Sequence, residues 1–451
     1  MAAACYASPR PLLGPKRPLR PIYLWEKYDT DAKLPERICA VLIGLVTSCG
    51  PGTAFPDRPA NAKVTREDAP HHGSPFTNTG YCRKLIQPTR RNPGNNVQGR
   101  EEIMRRFWSV AVVLGVLAAT PASAWDRGDV DVLAVLPDVT PGVPSSVEGL
   151  TVGPDDNIYV STFGFNASGA LSGNSVLYVI KPNGHLVRQV AIANSSPHTL
   201  GLAFNPINGF LLILDFGAGK VLHVDPTTGT SSVFVPPVPG SGLNALTFDK
   251  QGNVYISDSF NGVIWKTGPL GGAPTIWSND PLLGPGSGLT PPFGANGVEF
   301  NNAGTVMFVA NTATHQIIKI PVNTNGTAGA ASIFITGINA PDGIAIDRKD
   351  NLWVCANQED DIAVIDKTGK VIAKLGDFNG INDDGIVRGL LFPASPAFSR
   401  DGKTLYVSNL TLFLPYAGAK PAVDSAWTLK VKHYTVSKMR AVIPSLGDER
   451  N

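Results

Sequence analysis

An all-β chain folded as a six-bladed β-propeller, with four-stranded blades around a central channel, is the class this sequence predicts. Three observations carry that expectation. One phrase recurs six times between Glu148 and Asn409, each copy alternates apolar and polar residues as strands do, and no stretch beyond Trp125 sustains a 3.6-residue apolar period.

The repeat is clearest when the residue heading each copy is aligned. The heads are Glu148 (EGLTV), Leu200 (LGLAF), Asn244 (NALTF), Asn296 (NGVEF), Asp342 (DGIAI) and Ala394 (ASPAF), spaced 52, 44, 52, 46 and 52 residues apart. After each head come an apolar strand, a turn such as DKQGN or RKDN, and a second strand (NVYIS, NLWVCA). That second strand ends on Thr162, Asp215, Asp258, Asn311, Asn357 or Asn409, always 14 or 15 residues past the head. A third strand follows, from SVLYVIK in the first unit to TLKVKHYTV in the last, and usually a weaker fourth. Four strands per unit, with Gly, Asn and Asp between them, describe a propeller blade. The stretch DVDVLAVLP, 129–137, is the expected closing strand, added to the outside of the last blade.

The chain of 451 residues divides sharply at Met104. MRRFWSVAVVLGVLAATPASA, 104–124, has two arginines, an apolar run of 13 residues and a small-residue end, the order of a secretory signal peptide. The apolar run falls short of the ~20 residues a membrane span needs. No cysteine follows the cut, which argues against a lipoprotein anchor. Residues 1–103 hold 13 prolines and 15 Lys+Arg against 9 Asp+Glu, with no sustained periodicity. Glu101 and Glu102, encoded by purine-only codons, stand where a ribosome-binding site would precede Met104. We read 1–103 as a start-site misassignment or otherwise a disordered leader. The expected product is 125–451, periplasmic or secreted.

That product carries 21 Lys+Arg and 27 Asp+Glu and has no basic stripe, which argues against nucleic acid as a partner. Four of the five cysteines precede it. Cys355, in LWVCAN, is expected to be a buried, inert thiol, so stability rests on the core rather than on disulfides.

In a propeller the innermost strands line the channel, so the six heads meet at one mouth of it. Glu148, Asn244, Asn296 and Asp342 then place two carboxylates and two amides on a ring, with Leu200 and Ala394 completing it. These are hard oxygen donors without sulfur or imidazole, a set that suits calcium, or alternatively another divalent metal. Polar heads can also cap backbone amides, since Asp-Gly and Asn-Gly are common turn pairs. Four in register favour the metal. The second row, Asp215, Asp258, Asn311, Asn357 and Asn409, recurs too regularly for a site and is assigned to side-chain-to-backbone bonds.

Glu148, Asn244, Asn296 and Asp342, in that order, together with the phrase PDGIAIDRKDNLWV, resemble the calcium-dependent senescence-marker/gluconolactonase/luciferin-regenerating family. Its wider superfamily includes diisopropyl fluorophosphatases and paraoxonases. The resemblance spans about 145–410. It implies that these four residues hold a catalytic metal and that Asp342 also serves as general base or nucleophile. Two departures stand out. Family gluconolactonases follow the first Glu with Gly-Pro and a nearby Trp, where this chain has EGLTVGP. They also flank the first Asn with an Arg and an Asp, where this chain has SGLNALTF. The grip on a sugar acid is therefore expected to be lost, and a less polar lactone or ester is the expected small-molecule partner.

His198, two residues before a head, is a candidate proton shuttle, against the blander expectation of a solvent-exposed loop histidine. The insertions around 284–295 and over 410–426 are expected to sit above the mouth, with Phe293, Phe413, Leu414 and Tyr416 forming an apolar lid. The functional expectation is an exported, metal-dependent hydrolase of the lactonase type. Phosphotriester hydrolysis is the alternative enzyme, and a non-catalytic periplasmic propeller of the NHL-repeat kind is the alternative without catalysis. Oligomeric state is open from sequence.

Overall fold

A computed structural model describes residues 127–286, 293–421 and 424–443. The leader 1–103 and the signal segment 104–124 lie outside the described residues.

Six four-stranded antiparallel sheets form the blades. The first blade runs through Ser146–Val152, Ile158–Phe163, Val176–Ile180 and Leu186–Ala191. The second is Thr199–Phe204, Leu211–Asp215, Lys220–Val224 and Ser231–Val235. The third is Leu243–Phe248, Val254–Asp258, Val263–Gly268 and Gly271–Ser278. The fourth is Ala295–Phe300, Val306–Asn311, Gln316–Pro321 and Ser332–Thr336. The fifth is Pro341–Ile346, Leu352–Ala356, Asp361–Ile365 and Val371–Leu375. The sixth joins Pro393–Phe398, Thr404–Asn409 and Thr435–Arg440 to the N-terminal strand Val130–Val135. That last pairing, Val130 opposite Met439 and Val135 opposite Thr435, closes the ring as expected.

Each strand places alternate side chains against opposite neighbours. Tyr159 packs toward the second blade, whereas Ile158 and Val160 pack toward the sixth. The apolar core is accordingly divided into six clusters, one at every blade-to-blade interface. A seventh cluster joins head Leu200 to Phe163, Phe392, Leu412 and Leu414. Polar turns between inner strands are self-contained. Asp347 accepts bonds from the Asn351 amide at 2.8 Å and the Trp353 indole at 3.2 Å, and Asp249 repeats the arrangement with Asn253 and Tyr255.

One strand lies later than the sequence suggests. TLKVKHYTV alternates well, but Ser425–Thr428 is a single helical turn and the third strand of the last blade is Thr435–Arg440. The reason is tertiary. The Asn409 amide donates to the Thr435 and Ser437 hydroxyls at 3.0 and 2.8 Å, which sets the register one strand away. Among the described residues no helix is long and apolar enough to cross a membrane.

Candidate metal centre

All six innermost strands carry the same irregularity, and it falls on the head. In the first blade Val147 faces Thr162 and Leu150 faces Val160, so Glu148 and Gly149 together oppose Ser161 alone. The same two-against-one bulge occurs at Leu200, Asn244, Asn296, Asp342 and Ala394. A bulge bends the strand and re-aims its side chains. Heads of adjacent blades also come close. A Cβ on Gly149 would lie 2.0 Å from the Leu200 carbonyl oxygen, and one on Gly297 would lie 2.2 Å from that of Asp342. The Ser408 hydroxyl donates to the Glu148 carbonyl and ties the last blade to the first.

The four polar heads are buried, 4–6% exposed. A chain of bonds orients three of them. The Ser259 hydroxyl donates to the Ala295 carbonyl at 2.8 Å, so its lone pair is free for the Asn244 amide N–H at 3.0 Å. Thr312 repeats this between the Pro341 carbonyl, 2.7 Å, and the Asn296 amide, 2.9 Å. A carbonyl can only accept, so each hydroxyl must accept from its asparagine. That turns the asparagine oxygen away from the hydroxyl. In the fifth blade the Asn357 amide bonds both the Pro393 carbonyl, 3.2 Å, and Asp342 Oδ2, 3.1 Å.

What remains is a set of buried oxygens with no protein donor: Glu148 Oε2, Asn244 Oδ1 and Asp342 Oδ1. Leaving a buried acceptor unmade costs about 1–3 kcal/mol, and more for a charged one. The carboxylates respond as confined anions do. Burial and the charge of Asp342 push Glu148 well above the usual range. Burial pushes Asp342 up to about 7, opposed by the neighbouring amides of Asn296 and Asn357. Both carboxylates lie near the fully buried Cys355, whose thiol is raised by burial and then by Asp342 and Glu148, so it is inert as expected. Among the described residues no group of three or more His, Cys, Asp or Glu is placed to hold a metal. The head row has only two such side chains, and its remaining donors are amides. Orphaned acceptors from two carboxylates and an amide match what a calcium ion needs.

The second row mostly caps loops. Asp258 accepts N–H groups of Gly242, Phe260 and Asn261, and Asn311 donates to the carbonyls of Leu282 and Gly284. Asn357 departs from that role by touching Asp342. Ser259 and Thr312, which follow the second row, carried no signal in the sequence. His315 takes the N–H of Ala340 on its Nδ1 at 2.9 Å, just ahead of Asp342.

His198 is not a solvent-exposed loop residue. It stacks on Phe165 with ring centres 4.3 Å apart, meets Phe163 edge-on, and leaves Nε2 buried without a partner. Burial lowers its pKa, so the ring is held neutral. The residues expected to form a lid fall into two groups. Leu414 and Tyr416 join the cluster containing head Leu200, with Phe413 set edge-on to Tyr416 at 5.0 Å. Phe293 sits beside Phe260 and Phe216, 6.1 and 6.4 Å away. Residues 287–292 of that insertion lie outside the described residues.

Residues 221–376 match the family described as SMP-30/Gluconolactonase/LRE-like region. The stretch includes Asn244, Asn296 and Asp342, with Glu148 outside it. The chain is 29% identical over 142 residues to a lactonase, drp35, of Staphylococcus aureus, covering 30% of this chain and 41% of that protein. It is 27% identical over 207 residues to a gluconolactonase of Zymomonas mobilis, covering 39% of this chain and 54% of that one. The chain thus spans about two-fifths to about half the length of these relatives. Among solved structures it is similar to a calcium-binding protein, regucalcin, of Agrobacterium tumefaciens, with 19% identity, a TM-score of 0.48, and 69% and 92% of the two chains covered. The resemblance to the senescence-marker/gluconolactonase/luciferin-regenerating family is shown by the match over residues 221–376, which carries three of the four polar heads.

Proposed function

We propose that this protein is an exported hydrolase of lactones or esters whose metal, calcium, is held in the channel mouth by Glu148, Asn244, Asn296 and Asp342. The observation that carries the reading is the set of three buried head oxygens left without a hydrogen-bond donor. The similarity of the chain to a lactonase and a gluconolactonase points to the same reaction class. Bound there, calcium would act as a Lewis acid toward the substrate carbonyl.

The chain's own groups account for the rest. Asn357 donates to Oδ2 of Asp342 and so orients the carboxylate that would both help hold the metal and take a proton from attacking water. Beside bound calcium, that carboxylate would be held in its charged, proton-accepting form. His198 Nε2, neutral and unpartnered, is a second proton acceptor by the mouth. The apolar cover of Leu414, Tyr416 and Phe293, with Leu200 in the head row, favours a weakly polar substrate over a sugar acid and excludes bulk water.

The test is metal content and calcium-dependent thermal stabilisation of the purified protein beside Asp342→Ala. The wild type should hold about one calcium and gain roughly 2.7 kcal/mol at a hundredfold excess over Kd. The variant should hold none. A panel of lactones, esters and phosphotriesters then names the bond cleaved. Absence of divalent binding in the wild type would overturn the reading and leave a binding propeller.

A further inference from the structure

The channel has a second polar feature, at the end away from the heads. Three residues past each head, the inner strands present Thr151, Ala203, Thr247, Glu299, Ala345 and Ala397. Glu299 therefore lies about 10 Å further along its strand than Asn296. It lines a cavity of about 330 Å³ that reaches the surface beside the exposed turn residue Asn302.

Glu299 stands alone there as a charge. None of the residues lining the cavity is Lys, Arg or His, and Glu299 enters no ion pair among the described residues. Its protein partners use a single oxygen. Oε1 accepts from the Thr247 hydroxyl at 2.8 Å and from the Phe300 N–H at 3.0 Å. That pair ties the third blade to the fourth and accounts for Oε1 only. Oε2 takes no bond from the described residues. Glu299 is half-buried, so Oε2 is left to whatever occupies the cavity.

We propose that this lower cavity is a second binding site, for a small organic cation bearing N–H donors, a primary or secondary ammonium, held by Oε2 of Glu299. Size favours an organic cation over a bare ion. At ~30 Å³ per water the space holds on the order of ten waters, more than one ion fills. Small side chains at Ala203, Ala345 and Ala397 leave the room, and Thr151 offers a hydroxyl. Burial pushes Glu299 up to about 7, as expected of an anion lacking a counter-charge.

The cavity begins one residue past the heads, at Gly201, Ala245, Gly297 and Gly343, and runs on to Glu299, and the proposal does not depend on the hydrolase reading. Calorimetric titration of the purified protein with benzylammonium and n-butylammonium, at fixed ionic strength, tests it. Benzyl alcohol, n-butanol and tetramethylammonium, which lack the charge or the N–H, serve as comparisons. The amines should bind saturably and at least about tenfold more tightly than the comparisons. Glu299→Gln keeps an acceptor for Thr247 and Phe300 and should lose about tenfold or more in amine affinity, while Asp342→Ala leaves it unchanged. Equal binding of alcohol and amine, undiminished binding by Glu299→Gln, or no binding by either amine would overturn the proposal. The alcohol comparison is made on the wild type, so the test survives a variant that fails to fold.

Discussion

Asn244 and Asn296 are oriented by hydroxyls rather than by chance, and the consequence is measurable. Thr312 accepts the Asn296 amide because it has already spent its own hydrogen on the Pro341 carbonyl. Thr312→Val removes that acceptor at constant shape and lets the amide rotate. Calcium affinity is expected to fall by about 10–100-fold, the usual consequence of losing a residue that orients a ligand. Thr312→Ser should recover most of it, and a titration of calcium-dependent stabilisation reads both. A residue that served packing alone would shift the melting point without this recovery. The heads themselves were legible from sequence because they recur in register. The supporting residues were not, since the positions after the second row read Phe163, Phe216, Ser259, Thr312, Gln358 and Leu410. Only two carry a hydroxyl, and only the fold shows that those two face asparagines.

At the level of the strand, the recurring bulge explains why small residues follow the heads. The ring is tight enough that Gly297 lies directly against the Asp342 carbonyl. Gly297→Ala must displace backbone, not a flexible side chain, because the added carbon would sit 2.2 Å from that oxygen. Overpacking of this kind costs about 1–3 kcal/mol. Denaturant unfolding should show a loss of that order, accompanied by weakened calcium binding because Asp342 moves with its strand. An unchanged midpoint would mean that the inner strands separate more easily than the contact implies. Strand content was readable from apolar alternation and turn residues throughout. Which strand-prone stretch is used was not always readable, as the sixth blade shows, because TLKVKHYTV and TVSKMR alternate equally well and partner contacts decide.

Across the whole molecule, confinement of carboxylates couples stability to pH. Burial pushes Glu299 and Asp360 up to about 7 and Asp361 up to about 6. Unfolded carboxylates titrate near 4, so between about pH 4 and 7 the folded state binds more protons than the unfolded state. The stabilising contribution of these groups is complete below the unfolded pKa and is lost as pH rises through the folded one. Metal-free protein is expected to unfold at lower denaturant concentration at pH 8 than at pH 5. The double substitution Glu299→Gln with Asp360→Asn should flatten that slope. A midpoint that rises with pH over this range would contradict the assignment.

The sequence by itself determined the propeller, its six blades, a closing strand within 129–137 and the four polar heads. Each of these follows from a periodicity or a composition that is local to a repeat. Tertiary structure alone decided which oxygens are left without donors, the aromatic burial of His198, the contact between Asn357 and Asp342, and the cavity around Glu299. The contact of Asn357 with Asp342 lies within one blade, but the others depend on which residues of neighbouring blades meet, and neighbours across a ring are some fifty residues apart in the chain. A repeat encodes what every blade shares, whereas chemistry resides in the few places where adjacent blades differ.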